Sequence, residues 1–232
     1  MRRLLLFISV VVVPVSIMAQ KESVKNQPYA DFKMFHLGFH LGVHTQDLVL
    51  TNTGYSENGE VWFAELPSYS PGFSVGVIGD MFLNPYMNLR LTPTIHFGDE
   101  TVTFIEHNTK KTFSTSLRSN ILVLPLSIKY SAFRLNNYRP YVVGGVYAAF
   151  DLGHKKNTPL LLGGSDYGLE VGLGCDFYLP YFKLCPELRF GFGLADVLEK
   201  KRPDLTNREL IKYTDALSKV QNRMISLIFN FE

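Results

Sequence analysis

Hydrophobic and polar residues alternate strictly along the segment Phe35–His44. Every odd position is apolar, and every even position is histidine or glycine. Because side chains of a β-strand point alternately to its two faces, this period of two predicts a strand with one apolar face. The alternation therefore predicts an all-β chain, since it returns in seven further segments. These begin near Pro71, Met87, Asn120, Arg139, Tyr167, Phe182 and Arg223.

The connectors between these segments alternate between short and long. Residues 84–86, 133–138 and 179–181 are short connectors, and the long ones are 46–70, 98–119, 152–165 and 195–218. Outer-membrane barrels have short periplasmic turns and longer extracellular loops, and their strands need about 9 to 11 residues to cross the bilayer. A secreted β-sandwich gives no reason for this sorting of loops. We therefore predict an eight-stranded antiparallel transmembrane β-barrel over residues 32–232.

The first residues are typical of a secretory signal peptide. Two arginines precede an apolar run from Leu4 to Ile17, and Ala19 offers a small residue for cleavage. We expect residues 1–19 to be removed and residues 20–31 to form a periplasmic segment before the barrel. The alternative, an N-terminal membrane anchor, requires a longer apolar run.

The composition suits the outer membrane, which is the expected location. The chain of 232 residues contains 18 Phe, 12 Tyr and 18 Gly, and its net charge of +2 does not indicate a nucleic-acid partner. Tyrosines lie near the predicted strand ends, as in the aromatic girdle of a barrel. Outer-membrane lipid is therefore the expected partner. The girdle candidates are Tyr86, Tyr130, Tyr138, Tyr141, Tyr167, Tyr178 and Tyr181.

Charged residues of both signs share the polar faces of the strands. Charges inside a narrow barrel must be paired, and an eight-stranded barrel is filled by its own side chains. We therefore predict a salt-bridged lumen rather than a general pore or a proton path. The predicted network comprises Asp80, Arg90, Lys129, Glu170, Asp176, Lys183, Glu187 and Arg189.

Three histidines, His36, His40 and His44, are spaced four residues apart. In a helix, histidines at this spacing can bind one zinc ion. In a strand, four residues span about 13 Å, so no two of these histidines can share an ion. The strand pattern predicts lumen-facing packing and no metal site.

Catalytic chemistry is poorly supported by the sequence. His107 and His154 lie in predicted loops without an evident partner, and no Gly-x-Ser-x-Gly motif is present. We predict no catalytic residue and no cofactor.

Two long connectors carry candidate partner-binding residues. The first contains an aromatic group that suits either an interface or the girdle. In the last, a capping box at Thr206–Glu209 precedes apolar residues at helical spacing, which predicts a short amphipathic helix. That helix would cap the barrel mouth or dock a partner. The candidate residues are Trp62, Phe63, Tyr69, Leu210 and Ile211.

Cysteine and proline positions constrain the strands further. Cys175 has the parity of the apolar face and Cys185 that of the polar face, so we predict two unpaired thiols rather than a disulfide. Pro93, Pro125 and Pro186 lie inside predicted strands, although proline cannot donate to a ladder. We expect bulges there, or strand ends shifted by a few residues.

The first strand and its flanks carry a family resemblance. The segments Tyr29–Gly42 and Gln46–Leu48, together with Asn136–Val142 and Phe229–Phe231, resemble the PorT family of Bacteroidetes outer-membrane proteins. The resemblance implies an eight-stranded barrel required for the type IX secretion system, which exports proteases and adhesins and supports gliding in some species. It brings no catalytic residues, and it makes other type IX secretion components the expected partners. Glu232 departs from the aromatic residue that is common at barrel ends.

Three functions are compatible with these features. The first is a non-enzymatic assembly or scaffolding role in type IX secretion. The second is a general OmpA- or OmpX-like barrel with a structural or adhesive role at the surface. The third is a barrel enzyme that modifies lipid.

Overall fold

The computed structural model describes residues 25–54, 56–57, 60–65, 71–107, 111–153, 161–199 and 216–232. The predicted signal peptide and the predicted helix after residue 206 lie outside these ranges. A 3-10 helix at Ala30–Phe32 precedes the strands. The strands are β1 (Phe35–Asn52), β2 (Ser56–Glu57), β3 (Glu60–Glu65), β4 (Pro71–Asn84), β5 (Met87–Leu91), β6 (Thr94–Glu106), β7 (Thr112–Ser131), β8 (Tyr138–Asp151), β9 (Ser165–Tyr178), β10 (Lys183–Gly193) and β11 (Leu217–Phe231). No helix in the described ranges is long and apolar enough to span a membrane.

Strand β1 closes the sheet into a ring. It pairs antiparallel with β11 on one side and with β4 on the other. β5 and β6 share one position in the ring, because both lie between β4 and β7. The ring runs β1, β4, β5 with β6, β7, β8, β9, β10 and β11, which confirms the predicted eight-stranded antiparallel barrel.

The barrel has two unlike ends. The turn end holds the short connections after β4, β7 and β9, together with residues 25–34 and Glu232. The loop end lies opposite, and there β1, β6, β7 and β11 continue well past their predicted limits. Above the start of β4 at Pro71, strand β3 pairs with β6, and the amide of Ala64 donates to Asn52 Oδ1 (2.9 Å).

Much of the two loops expected at 46–70 and 98–119 is therefore strand, and that expectation is wrong. The reason is a switch of faces. On β6 the apolar residues face outward at Ile95 and Phe97 but inward at Val102 and Phe104. A strand predicted from apolar residues on its outward face therefore ends, in the prediction, where the apolar residues move to the inward face.

The prolines interrupt ladders without shifting the register, so bulges, the first of the two expectations, are wrong. The second, a strand end displaced from its predicted position, is correct at Pro93, where β5 ends at Leu91 and β6 begins at Thr94. Pro93 separates β5 from β6, yet both keep one register against β4. Pro125 on β7 faces the break between β5 and β6, since its carbonyl accepts a hydrogen bond from Thr92 N (3.3 Å) in that break. At Pro186 the ladder to β9 is interrupted between its neighbouring pairs. Each missing donor thus coincides with a gap, which removes the need for a bulge.

The outer wall carries an exposed apolar band, which we call the belt. Its side chains on β1 and β4 (Phe39, Leu41, Val43, Phe73, Val75 and Val77) are 41–58 % exposed. Five of the girdle candidates are exposed as well: Tyr86, Tyr130, Tyr138, Tyr167 and Tyr181. Tyr141 and Tyr178 are buried, because their parity points them into the lumen. Their assignment to the girdle is wrong.

Candidate functional site in the barrel lumen

The eight charged residues predicted from parity all lie in the lumen. None is more than 7 % exposed. They come from five of the eight wall positions, those of β4, β5, β7, β9 and β10, whereas β1, β8 and β11 contribute none of the eight.

Arg90 on β5 reaches across the lumen to the opposite wall. Its Nε donates to Asp80 Oδ2 (2.9 Å) on the neighbouring strand. Its Nη1 donates to Glu187 Oε2 (3.4 Å) on β10, and its Nη2 to Glu232 Oε1 (2.6 Å) after β11. Because β5 and β10 stand opposite in the ring, this strut requires a closed barrel.

Four residues donate to the carboxylate of Glu187: Arg90, Arg189, Tyr141 and, through its Nδ2 (3.4 Å), Asn230. Arg189 binds Oε1 of Glu187 through Nη2 (2.5 Å) and Nε (2.8 Å), and the hydroxyl of Tyr141 donates to Oε2 (2.8 Å). Arg189 Nη1 also reaches Glu170 Oε2 (3.3 Å). The carboxylate is therefore held by two arginines, a phenol and a side-chain amide, which offset the cost of burying its charge.

A second group of ion pairs lies nearer the turn end. Lys129 Nζ binds both carboxylate oxygens of Asp176 (2.7 and 2.8 Å) and lies 4.1 Å from the centre of the Tyr141 ring. Lys183 Nζ binds Glu232 Oε2 (2.5 Å). Since Glu232 also binds Arg90, the last residue of the chain joins the two groups.

Parity alone could have added Glu232 and Tyr141 to the predicted network. Glu232 continues the inward series of Ser226 and Asn230 on β11, and Tyr141 belongs to the polar face of β8. The Glu232 side chain lies inside the lumen, only 1 % exposed, where it binds Arg90.

Residues 25–33 pack against the turn end of the barrel. Asp31 pairs with Arg139 Nη1 (3.1 Å) and Arg134 Nη1 (3.5 Å), and it accepts a hydrogen bond from the hydroxyl of Tyr178. The backbone amide of Asn26 donates to the Asn137 side chain (2.8 Å). Sequence periodicity gives no sign of these contacts, because the segment before β1 has no repeat.

The histidines fit against glycines of the neighbouring strand. His40 lies opposite Gly76 and His44 opposite Gly72, and a Cβ at either glycine would overlap the imidazole ring. His40 Nε2 also contacts Thr94 Oγ1 (3.0 Å). At the turn end, His36 Nε2 donates to the carbonyl of Ala30 (2.6 Å).

His44 has a histidine neighbour that the spacing on β1 could not reveal. Its Nδ1 lies 3.4 Å from Nδ1 of His96 on β6, which pairs with β4 and so is separated from β1 by one strand. Within the described ranges, no three or more possible metal ligands come together.

The loop end is filled mainly by a hydrophobic cluster, and Glu106 on β6 is buried there as well. The buried members of the cluster are Leu48, Trp62, Ala64, Val102, Phe104, Val197, Leu198, Ala216, Leu217 and Val220. Trp62 is only 6 % exposed, so its expected exposed position is wrong: the parity of β3 turns it inward. Phe63 on the opposite face is half-buried, with its ring 5.9 Å from that of exposed His107. Tyr69, His154, Leu210 and Ile211 lie outside the described residues.

Both cysteines are free thiols, as their parity predicts. Cys175 is half-buried on the outer wall, and Cys185 is fully buried in the lumen. They therefore contribute to different surfaces of the same wall.

The fold and its interior agree with a known family. A model of the outer membrane protein beta-barrel domain matches residues 18–199. The chain belongs to this family. The protein is thus located in the outer membrane, with its turn end periplasmic and its loop end extracellular.

Several solved outer-membrane proteins are similar to the chain. OprG from Pseudomonas aeruginosa is 13 % identical, with 84 % of this chain and 93 % of that chain covered and a TM-score of 0.49. Neisserial surface protein A is 11 % identical, with coverage of 85 % and 98 % and a TM-score of 0.44. Ail from Yersinia pestis is 13 % identical, with coverage of 86 % and 99 % and a TM-score of 0.36. A comparison with curated proteins finds no match.

Proposed function

We propose that this protein is a non-enzymatic outer-membrane barrel that serves protein secretion by the type IX secretion system, in an assembly or scaffolding role. The observation that carries the proposal is the filled lumen. Arg90 spans the turn-end half, and a hydrophobic cluster fills the loop end. A path for cargo would have to break buried ion pairs, and removing one partner of such a pair costs about 3 to 5 kcal/mol. The barrel therefore works through its outer surfaces.

The link to type IX secretion is supported by the resemblance of residues 29–48 to the PorT family. In this barrel, side chains of the same segment contact the interior at three different heights along the barrel axis. Asp31 pairs with Arg139, while His40 and His44 pack over glycines of β4. The resemblance thus involves residues that build the lumen.

The expected partners, other type IX secretion components, would meet the barrel at its extracellular loops or its periplasmic end. Tyr69, Leu210 and Ile211 remain candidate contacts. A photo-crosslinking residue at Leu210 or Ile211 should capture a secretion component in living cells, whereas one at Val171 in the belt should capture none.

Deletion of the gene tests the secretion role directly. We expect loss of type IX cargo from the cell surface and medium, accumulation of cargo in the periplasm, and rescue by the wild-type gene. Normal cargo export in the deletion strain would refute the role. Outer-membrane insertion of the complementing protein is verified by its heat-modifiable migration in electrophoresis.

A general surface barrel is the second candidate, and the loop-end extension favours it. Beyond the belt, β1 and β11 present polar residues outward, including the paired positions Asp47 and Arg223. Such a wall suits contact with water or a hydrophilic surface. If this role is correct, the deletion strain exports cargo normally but loses adhesion or detergent resistance.

A further inference from the structure

A row of short side chains crosses the outer wall near the turn end. Ala132, Pro140, Cys175 and Pro186 occupy neighbouring outward positions from the end of β7 to β10. Ala132 N donates to Pro140 O (2.9 Å), and Pro140 pairs with Cys175. Pro186 follows at the interruption of the β9–β10 ladder.

Larger apolar side chains stand on both sides of this row. The upper side is formed by Tyr130, Val142, Leu173, Leu188 and Leu227, each paired with the next across adjacent strands. On the lower side Phe177 lines the groove, and Tyr138, Leu184 and Phe231 continue its row on the neighbouring strands. The short row is therefore the floor of a groove of about 770 Å³, which we call the transverse groove.

The groove is specific to this level of the wall. The row containing Ile128, Gly144, Val171 and Phe190 has one small residue between large ones. A single small residue in a row of large ones does not leave a groove of similar length. Four consecutive short side chains are needed, and two of them are the prolines at 140 and 186.

We propose that the transverse groove binds one acyl chain of a phospholipid from the periplasmic leaflet. The groove is continuous with the belt, which faces lipid, and it lies in the half of the belt next to the periplasmic turns. Its outward-facing lining is apolar. A hydrocarbon chain matches this shape and chemistry without requiring a polar partner.

Packing, rather than the hydrophobic effect, holds the chain in the groove. Lipid tails are as apolar as leucine, so moving a tail from bulk lipid to the wall gains little from burial itself. The gain comes from many weak dispersion contacts along both sides of the groove. Filling the groove with a large side chain should therefore release the lipid without harming the fold.

Native mass spectrometry tests the proposal. The full-length mature protein is reconstituted in palmitoyl-oleoyl-phosphatidylethanolamine vesicles and re-extracted in mild detergent. We expect one retained phospholipid on the wild type and about tenfold less on Cys175→Trp, because tryptophan removes most of the dispersion contacts. Val77→Trp, on the belt face of β4, should retain lipid like the wild type. No retained lipid on the wild type, or equal loss in both variants, would overturn the proposal.

A second copy of the chain is the competing occupant. In that case Cys175 would lie at a protein interface, and oxidation in vesicles would give disulfide-linked dimers in high yield. The Cys185→Ser variant leaves Cys175 as the sole thiol for this measurement. We expect monomers, and efficient dimer formation would overturn the lipid assignment. Heat-modifiable migration verifies that each variant is folded.

Discussion

The two halves of strand β11 carry opposite patterns of polarity. In the turn-end half, Ile225, Leu227 and Phe229 are exposed while Ser226 and Asn230 are buried. In the loop-end half, Val220 is fully buried while Lys219, Gln221 and Arg223 lie toward the outside. Within the belt, β11 therefore has apolar side chains outside and polar ones inside. Beyond the belt, its apolar side chains are inside and its polar ones outside, as in a water-soluble protein.

Strand β1 changes at the same level. His40 and His44 face the lumen beside exposed Leu41 and Val43, whereas Leu48 is buried farther along. Since Thr45 pairs with Ile225 and Asp47 with Arg223, the switch on both strands marks one height in the wall. We take this height as the extracellular edge of the belt.

The comparison shows that each half is stabilised by a different force. Hydrocarbon surrounds the belt, so burying apolar side chains there gains little, and the interior depends on paired charges. Water surrounds the loop end, where the hydrophobic effect favours an apolar interior. The same backbone ladder therefore supports two kinds of core.

The substitution Arg90→Met should cause the largest loss. It leaves the carboxylates of Asp80, Glu187 and Glu232 buried without their shared partner. We expect the free energy of unfolding to fall by about 3 to 5 kcal/mol, measured by urea titration in lipid vesicles. Arg223→Met, an exposed arginine on the outer wall, is the control and should change little. Equal losses in both variants would contradict a charge-dependent interior.

The substitution Phe104→Ala tests the hydrophobic half. It removes a fully buried ring from the loop-end cluster, and we expect a loss of about 3 kcal/mol. The damage should stay local: protease should cut near the β6–β7 hairpin while the belt keeps its heat-modifiable migration. If the whole barrel unfolds together, the two halves are a single cooperative unit.

The substitution Glu232→Gln should have a smaller effect than Arg90→Met. Glutamine can still accept a hydrogen bond from Arg90 or Lys183, but the charge that both cations share is lost. We expect a loss of about 2 kcal/mol in the same urea titration. Glu199→Gln, at an exposed glutamate of the loop end, serves as the control. A loss no greater than that of the control would show that the chain end does not contribute to the network.

The sequence could predict the belt half because alternation persists there for eight segments. Parity alone assigned Arg90 and Glu187 to the lumen, and it separated Cys175 from Cys185. It could not show that Arg90 crosses to the opposite wall, because that contact depends on ring closure. The contact between His44 and His96 was hidden for another reason: it depends on the register of β1 and β6 against β4, which parity does not give.

The loop-end half was harder to predict because its apolar residues change faces. Val102 and Phe104 sit among threonines, so a rule that expects apolar side chains outward takes the segment for a loop. Trp62 was misjudged in the same way. A test for alternation that ignores which face is apolar would have found both segments.

The smallest expected effect concerns the fit of histidine over glycine in the belt half. A methyl group at Gly76 would overlap the His40 ring and the Pro93 carbonyl, whereas one at Gly144 would meet no atom within 4 Å. Overpacking of this kind costs about 1 to 2 kcal/mol, so Gly76→Ala should be less stable than Gly144→Ala by that amount in urea titration. His40→Ala combined with Gly76→Ala should recover part of the loss, because it removes the clashing ring. If Gly76→Ala and Gly144→Ala have the same free energy of unfolding, the lumen has room for the added methyl group beside His40. The histidines of β1 are then not held by close packing.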